Sequence, residues 1–165
     1  MIDHRVAIRI ALTALLAAWL AAAPARAQDF HKFIPFLVDL SGWTGGQAEG
    51  ATMQLPAATL IGARREYKRG YATLEAGIVS GQGAPKGASE PGINLVTAEV
   101  HVISSVVDGF VAFRTFHVKE KSGSILVALG PSGTFALNFE GVPEDEALPL
   151  ARRFDWKAIA AALPK

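Results

Sequence analysis

The sequence contains no cysteine, and this absence removes several classes of chemistry at once. Without thiols there is no disulfide framework, no thiolate nucleophile, no cysteine-ligated zinc and no iron–sulfur cluster. Neither sign of charge predominates, because 16 basic and 15 acidic residues give the 165-residue chain a formal net charge of +1. Bulk charge therefore gives no indication of nucleic-acid binding.

Charged residues of both signs make up only 19% of the chain, whereas 50% of the residues are hydrophobic. This composition is too apolar and too weakly charged for an intrinsically disordered protein. The length suits one domain. We therefore expect a folded chain with a single hydrophobic core.

Long apolar runs are absent except at the start of the chain. Arg5 and Arg9 precede an uncharged stretch over residues 10–23, and Ala25-Arg26-Ala27 has the small-x-small form that signal peptidase accepts. The pattern predicts a signal peptide over residues 1–27 that is cleaved after export to the periplasm.

The alternative for this run is a membrane anchor. A membrane-spanning helix needs about 20 apolar residues, and Pro24 and Arg26 end the run early. No later stretch is long or apolar enough to span a membrane, so we expect no stable membrane insertion after cleavage. Residues 28–165 are then predicted to form the mature protein as a single domain.

Beyond the first third of the chain, strand-like patterns alternate with turn signals. A hairpin is predicted from strands at 57–68 and 71–80, with Gly70 in the turn between them. The residues 93–98 fit either a short helix or the beginning of a strand. Further strands are predicted at 99–107, 110–118, 125–129 and 134–140.

The apolar residues in these strands recur with a period of two, which predicts their buried faces. The strand at 110–118 is apolar on both faces, which is typical of a sheet covered on both sides or of a strand near a pocket. Between the second and third predicted strands, the Gly- and Pro-rich segment 81–92 predicts a loop. We interpret it as a surface insertion, with a functional or mobile loop as the alternative. The predicted inward-facing residues are Ala72, Leu74, Ala76, Ile78, Phe135, Leu137 and Phe139.

The end of the chain has helical patterns. Pro143 and the carboxylates of residues 144–146 are typical of a helix start, and Asp155 is a natural N-cap for a last helix with one apolar stripe. Together these patterns predict an α+β fold, in which the antiparallel sheet is a meander and the C-terminal helices pack on one of its faces.

Candidate catalytic and metal-binding residues are sparse. His31, His101 and His117 belong to no metal-ligand pattern, although His101 and His117 could meet across neighbouring strands. The segment around Ser89 lacks the second glycine of a nucleophile elbow, and Lys86 stands where a dinucleotide fingerprint needs its third glycine. The sequence therefore predicts no catalytic residue, no metal and no cofactor.

One basic cluster stands above the background, at the tip of the predicted hairpin. Four cations in six residues suit a phosphate, an acidic glycan or a lipid head group, while a solvated strand end that resists edge pairing is the alternative. Trp43, flanked by glycines, either caps the core or is an exposed aromatic for a ligand. The candidate ligand-binding residues are Arg64, Arg65, Tyr67, Lys68, Arg69 and Trp43.

Several of these residues also carry a resemblance. The succession Gly42-Trp43, Arg65-x-Tyr67-Lys68-x-Gly70, Asp108-Gly109-Phe110 and Phe154-Asp155-Trp156 resembles small exported bacterial proteins of unknown function. The strand order with an early Gly-Trp is also similar to the α+β sandwich of the PsbP/Mog1 type. This resemblance implies a scaffold of an accessory or binding protein and transfers no catalytic residue.

The functional expectation is a soluble periplasmic binding or accessory protein without enzymatic activity, whose partner is an unknown envelope component or a small ligand. One alternative is a periplasmic hydrolase or isomerase, which a cleft gathering His101, His117, Glu99 or Arg114 would favour. The other alternative is a subunit of an envelope complex that exposes an apolar patch to a partner chain.

Overall fold

The computed structural model describes residues 30–56, 58–81 and 90–164 of the chain. The predicted signal peptide over residues 1–27 and most of the predicted loop at 81–92 lie outside these ranges. Within them, no helix combines the length and the apolar character that crossing a membrane requires.

Nine strands form one antiparallel sheet in the described part of the chain. Two short 3₁₀ helices, Phe30–Lys32 and Ile34–Phe36, precede the strands, and two α-helices follow them. The strands are β1 (Thr44–Gly45), β2 (Glu49–Leu55), β3 (Ala58–Arg69), β4 (Ala72–Ser80), β5 (Asn94–Val96), β6 (Val100–Val107), β7 (Phe110–His117), β8 (Ser122–Gly130) and β9 (Gly133–Glu140). The helices are α1 (Glu144–Ala151) and α2 (Trp156–Ala162).

The predicted continuous meander is corrected by the order of the strands. From one edge to the other, the sheet runs β1, β3, β4, β9, β8, β7, β6, β5, and β2 pairs beside β1 on the same side of β3. Strands β5 to β9 do form a meander, but β9 returns to pair with β4, so that the β3–β4 hairpin extends the sheet at its far side. The non-sequential step joins β4 to β9 because their apolar faces match residue for residue, with Leu74 opposite Phe139 and Ile78 opposite Phe135.

Most of the predicted strands and turns are confirmed within two or three residues. The segment 93–98, which fitted either a short helix or the beginning of a strand, contains the short strand β5. Gly70 in the β3–β4 turn has a φ of +59°, and Asp108 and Gly109 in the β6–β7 turn have φ values of +51° and +88°. The carboxylate of Asp155 accepts a hydrogen bond from the Ala158 amide at 2.9 Å, as expected for an N-cap.

The alternation of side chains gives the sheet two different faces. The inner face is the one that carries the fully buried residues of β4, β8 and β9, among them Ile78, Val127 and Phe135. The outer face carries the alternate residues, which are half-buried or exposed along most of its length. On β7, Val111 and Phe113 lie half-buried on the outer face, which places apolar side chains on both sides of that strand as the sequence indicated.

The core lies against the inner face and takes residues from both ends of the described chain. Phe33, Leu37 and Trp43 enter the core from the residues that precede β1. Phe154 and Ile159 enter it from the C-terminal segment. The ring centroids of Phe135 and Phe154 are 5.0 Å apart, so the last strand contacts the chain between the two α-helices directly.

Candidate functional site

The six ligand-binding residues predicted from the sequence lie on β3 and on residues 30–46, which we call the covering segment. Alternation along β3 divides them as the sequence predicts. Arg65, Tyr67 and Arg69 are in register with the inner face, whereas Arg64 and Lys68 are in register with the outer face. Trp43 lies in the covering segment and is only 8% exposed.

Arg65 ties the covering segment to β3. Its guanidinium donates to the carbonyl oxygens of Leu37 and Gly46, both at 2.8 Å, and to the Asp39 carboxylate at 2.6 Å. A Cβ atom at Gly45 would lie 2.6 Å from the Arg65 Nη2, so a glycine is needed there for this approach. The guanidinium therefore satisfies two backbone acceptors that lie 28 and 19 residues before Arg65 in the sequence.

Tyr67 makes a second attachment beside it. Its side chain is fully buried, and its hydroxyl donates to the Val38 carbonyl at 2.8 Å. The Arg65 guanidinium lies over the Tyr67 ring, 5.3 Å from the centroid. Burial raises the pKa of Tyr67 to about 12, with the Arg65 charge opposing that shift. The hydroxyl is therefore a neutral hydrogen-bond donor throughout the neutral pH range.

Arg69 connects the end of β3 to both ends of the described chain. Its guanidinium stacks over the Trp43 ring, 4.3 Å from the centroid, and pairs with both carboxylate oxygens of Glu146 in α1, at 2.5 and 2.9 Å. The hydrogen bonds from Arg69 lower the pKa of the Glu146 carboxyl. The same contact raises the pKa of Arg69. Such a bidentate pair is geometrically specific although it lies near solvent.

Arg64 and Lys68 lie on the opposite face of the sheet. Arg64 pairs with Glu75 at 3.3 Å and with Glu49 at 3.4 Å. Asn138 donates to the same Glu75 at 3.4 Å. Lys68 lines an open cleft of about 320 Å³ on the outer face, among three glutamates and Asn138.

The structure therefore brings four of the six predicted residues together as attachments of the covering segment, namely Trp43, Arg65, Tyr67 and Arg69. The basic cluster does not converge on one point, because Arg64 and Lys68 are on the other face. Binding of a ligand by these six residues stays a prediction.

A second cluster of polar residues joins β6 and β7 to α1. His101 Nδ1 and Glu144 Oε2 are 2.7 Å apart. Arg114, on the neighbouring strand, lies in the same cavity, and its Nε is buried without a hydrogen-bond partner. His117 is not part of this cluster, because it pairs with Val100 on the outer face while His101 pairs with Phe116 on the inner face. The two histidines therefore do not meet.

The cavity beside this cluster holds about 20 Å³. That volume accommodates about one water molecule, and apolar residues such as Phe116 and Ile125 form most of its wall. The His101–Glu144 pair has the residue types of an acid–base site, and both side chains remain partly exposed to solvent. No group of three or more metal-ligating side chains occurs in residues 30–56, 58–81 and 90–164.

A larger depression lies where the β6–β7 turn meets the segment that joins α1 to α2, and we call it the C-terminal cleft. Its volume is about 420 Å³. Phe110, Phe154 and Trp156 form an aromatic floor, and their rings contact one another or Phe135 edge to face or tilted. Phe110 is half-buried and is the accessible ring, whereas Phe154 and Trp156 are only 2% and 4% exposed. Arg152, Arg153 and Lys157 line its sides, with Asp108 and Asp155.

Two of these cations are not neutralised. Arg152 donates to both oxygens of Asp108, at 2.8 and 3.0 Å, and Asp155 is engaged as the N-cap of α2. Arg153 and Lys157 have no hydrogen-bonded or ion-paired side-chain partner within the part of the chain that the structure describes. The cleft therefore combines an apolar base with a small excess of positive charge, since three cations and two carboxylates line it.

Sequence reasoning did not identify this cleft. The adjacent Arg152 and Arg153 were a visible signal, but their meeting with Phe110 depends on contact between the β6–β7 turn and the C-terminal segment, which are more than 40 residues apart in the sequence. Searches against protein-family models, curated proteins and solved structures found no match for this chain. The geometry of its own residues is therefore the basis for a functional proposal.

Proposed function

We propose that this chain is a non-enzymatic binding or accessory protein of the periplasm, and that the C-terminal cleft holds its ligand. One observation carries the proposal, namely the presence of Arg153 and Lys157 beside an aromatic floor in an open cleft of about 420 Å³. Small-molecule sites are commonly clefts of roughly 300–1,000 Å³ lined by apolar and aromatic groups with a few polar groups that orient the ligand.

The charge of the cleft suggests the class of ligand. A guanidinium presents a planar pair of donors that fits carboxylate and phosphate groups, and an ammonium adds a point charge. Arg152 is paired with both oxygens of Asp108, so its charge is less available to a ligand than the charges of Arg153 and Lys157. The ligand that suits this arrangement has one acidic group and one flat apolar part.

Binding of phenyl phosphate, followed by amide chemical shifts, tests this proposal. We expect saturable shifts centred on residues 152–157, with weaker binding of inorganic phosphate because it cannot use the aromatic floor. Replacing Arg153 and Lys157 together by Gln should remove the effect, whereas Lys119→Gln, at an exposed position before β8, should not.

The absence of any saturable shift would reject the cleft as a ligand site. Shifts centred on residues 64–69 instead would favour the basic cluster predicted from the sequence. N-terminal sequencing of the protein recovered from the periplasm tests export separately. The recovered protein should begin at Gln28.

The arrangement of the helices is part of the same proposal. Both α-helices are proposed to lie on the inner face, where they close the core and shape the C-terminal cleft. In support, Phe110 of β7 and Trp156 of α2 have ring centroids 6.3 Å apart, and Glu144 of α1 contacts His101 on the inner side of β6.

A hydrolase or isomerase is the second candidate, and the His101–Glu144 pair with Arg114 in one cavity favours it. A carboxylate beside an imidazole orients the ring and supports proton transfer. A panel of chromogenic esters and phosphoesters tests this candidate. Turnover that is present in the wild type and lost in His101→Gln would favour the enzyme over the binding protein.

A further inference from the structure

Exposed large apolar side chains gather at one edge of the sheet. Ile93, Leu95 and Val96 are 44%, 53% and 60% exposed, and Val106 on the adjacent strand is 60% exposed. They belong to β5, to the residue before it and to β6. Ile93, Leu95 and Val106 are in register with the outer face, whereas Val96 is in register with the inner face. Isolated exposed apolar residues are ordinary, whereas a group of them marks an interaction surface.

The backbone of β5 also presents unpaired groups at this edge. The Ile93 carbonyl accepts from Ser104, and the Thr97 amide donates to Val100, both across the β5–β6 ladder. Because the bonded residues of an antiparallel pair alternate, Leu95 also bonds toward β6, and Asn94 and Val96 direct their N–H and C=O groups away from it. In the described ranges no strand pairs with that side of β5.

Within residues 92–98, this edge lacks two of the features that usually protect a sheet edge. Charged side chains, especially lysine, proline within the strand and a covering helix or loop prevent edge-to-edge pairing. Residues 92–98 contain neither a charged residue nor a proline. The edge is therefore suited to receive another strand.

We propose that two copies of this chain associate through β5, paired antiparallel about a two-fold axis at Leu95. In this register Asn94 of each copy lies opposite Val96 of the other, and each such pair exchanges both of its backbone hydrogen bonds. The two Leu95 residues form the non-hydrogen-bonded pair on the axis, in which Cα atoms approach to about 4.5 Å and side chains touch.

The composition of the strand favours a second copy, because residues 92–98 carry no charge that would face its own copy and the two exposed Leu95 side chains meet on the axis. A two-fold interface uses the same patch on both subunits, so each outward-facing backbone group must find its complement in the same strand. Asn94 and Val96 do so in the Leu95 register. The flanking Glu90 and Glu99 then fall opposite Val100 and Pro91 of the second copy, so that no carboxylate directly faces another.

Analytical ultracentrifugation of the purified protein over a range of concentrations tests the proposal. The wild type should pass from monomer to dimer as the concentration rises. Leu95→Lys places two ammonium groups together on the axis, and their repulsion should raise the dissociation constant about 100-fold. Tyr71→Lys, at a fully exposed aromatic outside β5, should leave the constant unchanged.

A second variant tests for a gain of association as well as for its loss. Leu95→Glu should also be monomeric, but an equimolar mixture of Leu95→Lys and Leu95→Glu should form a heterodimer, because opposite charges then meet on the axis. A wild type that stays monomeric at every concentration would overturn the proposal. So would a dimer that Leu95→Lys leaves intact, or a mixture of the two variants that does not associate.

Discussion

The two edges of the sheet are built differently. At the edge formed by β1 and β2, the covering segment lies over the sheet, and its residues Phe33, Leu37 and Trp43 enter the core. Phe30 lies so close to Gly50 of β2 that no Cβ atom would fit there. At the β5 edge, apolar side chains and outward-facing backbone groups remain exposed in the described chain.

The difference shows that several of the specific polar contacts of this chain lie on the covered side. Arg65, Tyr67 and Arg69 all hold the covered side of the molecule together. No comparable arginine or tyrosine contact is found on β5 in the described residues. A cluster of cations and aromatics, which resembles a ligand site in the sequence, attaches in the structure the segment that packs on the inner face beside β1 and β2.

The largest effect is expected when the covering segment is released from β3. Arg65→Ala leaves the carbonyls of Leu37 and Gly46 without their donor and removes a charge-assisted bond to Asp39. We expect a loss of about 4 kcal/mol in the free energy of unfolding, since each of the two hydrogen bonds to carbonyls contributes about 1.5–3 kcal/mol and the pair with the exposed Asp39 adds little. Urea denaturation measures it.

Lys68→Ala is the matched control, because Lys68 is an exposed cation on the same strand. It should change the free energy of unfolding by less than about 0.5 kcal/mol. Equal effects of the two substitutions would show that the hydrogen bonds of Arg65 contribute nothing specific to the stability of the fold.

The next largest effect concerns the buried hydroxyl of Tyr67. Its pKa is raised from 10.0 to about 12, so the neutral form stabilises the fold fully below pH 10, and this contribution is lost as the pH rises through 12. The expected loss is about 2–3 kcal/mol at about 1.4 kcal/mol per pKa unit. Tyrosinate absorbance in Tyr71→Phe, which leaves one tyrosine in the chain, measures this pKa alone. A midpoint near 10 would contradict the burial of the hydroxyl.

The smallest effect is expected at the Arg69–Glu146 pair. The pKa of Glu146 is lowered in the folded state, so its contribution is present at neutral pH and is lost as the pH falls through that lowered pKa. Glu146→Gln should therefore reduce the loss of stability toward acid pH, whereas Glu120→Gln, at an exposed turn position, should not. The pair is partly solvated, so salt near 1 M should remove the difference. A difference that persists in salt would contradict this assignment.

The sequence predicted the strands from β3 onward because alternating apolar residues and strong turns mark them locally. It did not predict β1 or β2, since Glu49–Leu55 has no clear alternation and β1 contains only two residues. The pairing of β4 with β9 was also missed, because it joins segments about 60 residues apart and no local pattern records such a contact.

The candidate sites show the same limit. Arg65 and Tyr67 could be singled out as unusual residues, but their acceptors are backbone carbonyls 19 to 29 residues away, and carbonyls have no signature in a sequence. Likewise, nothing local indicated that Glu144 would meet His101, 43 residues earlier. Residue types were predictable, whereas their partners depended on the fold.

Amide hydrogen exchange in β5 tests the contrast between the two edges most directly. In dilute solution the amides of Asn94 and Val96 should exchange fast, while the Leu95 amide is protected by its bond to β6. At high concentration the Asn94 and Val96 amides should become protected in the wild type and stay unprotected in Leu95→Lys. Exchange rates of these two amides that do not depend on concentration would contradict an edge that is open in one copy and closed by a second.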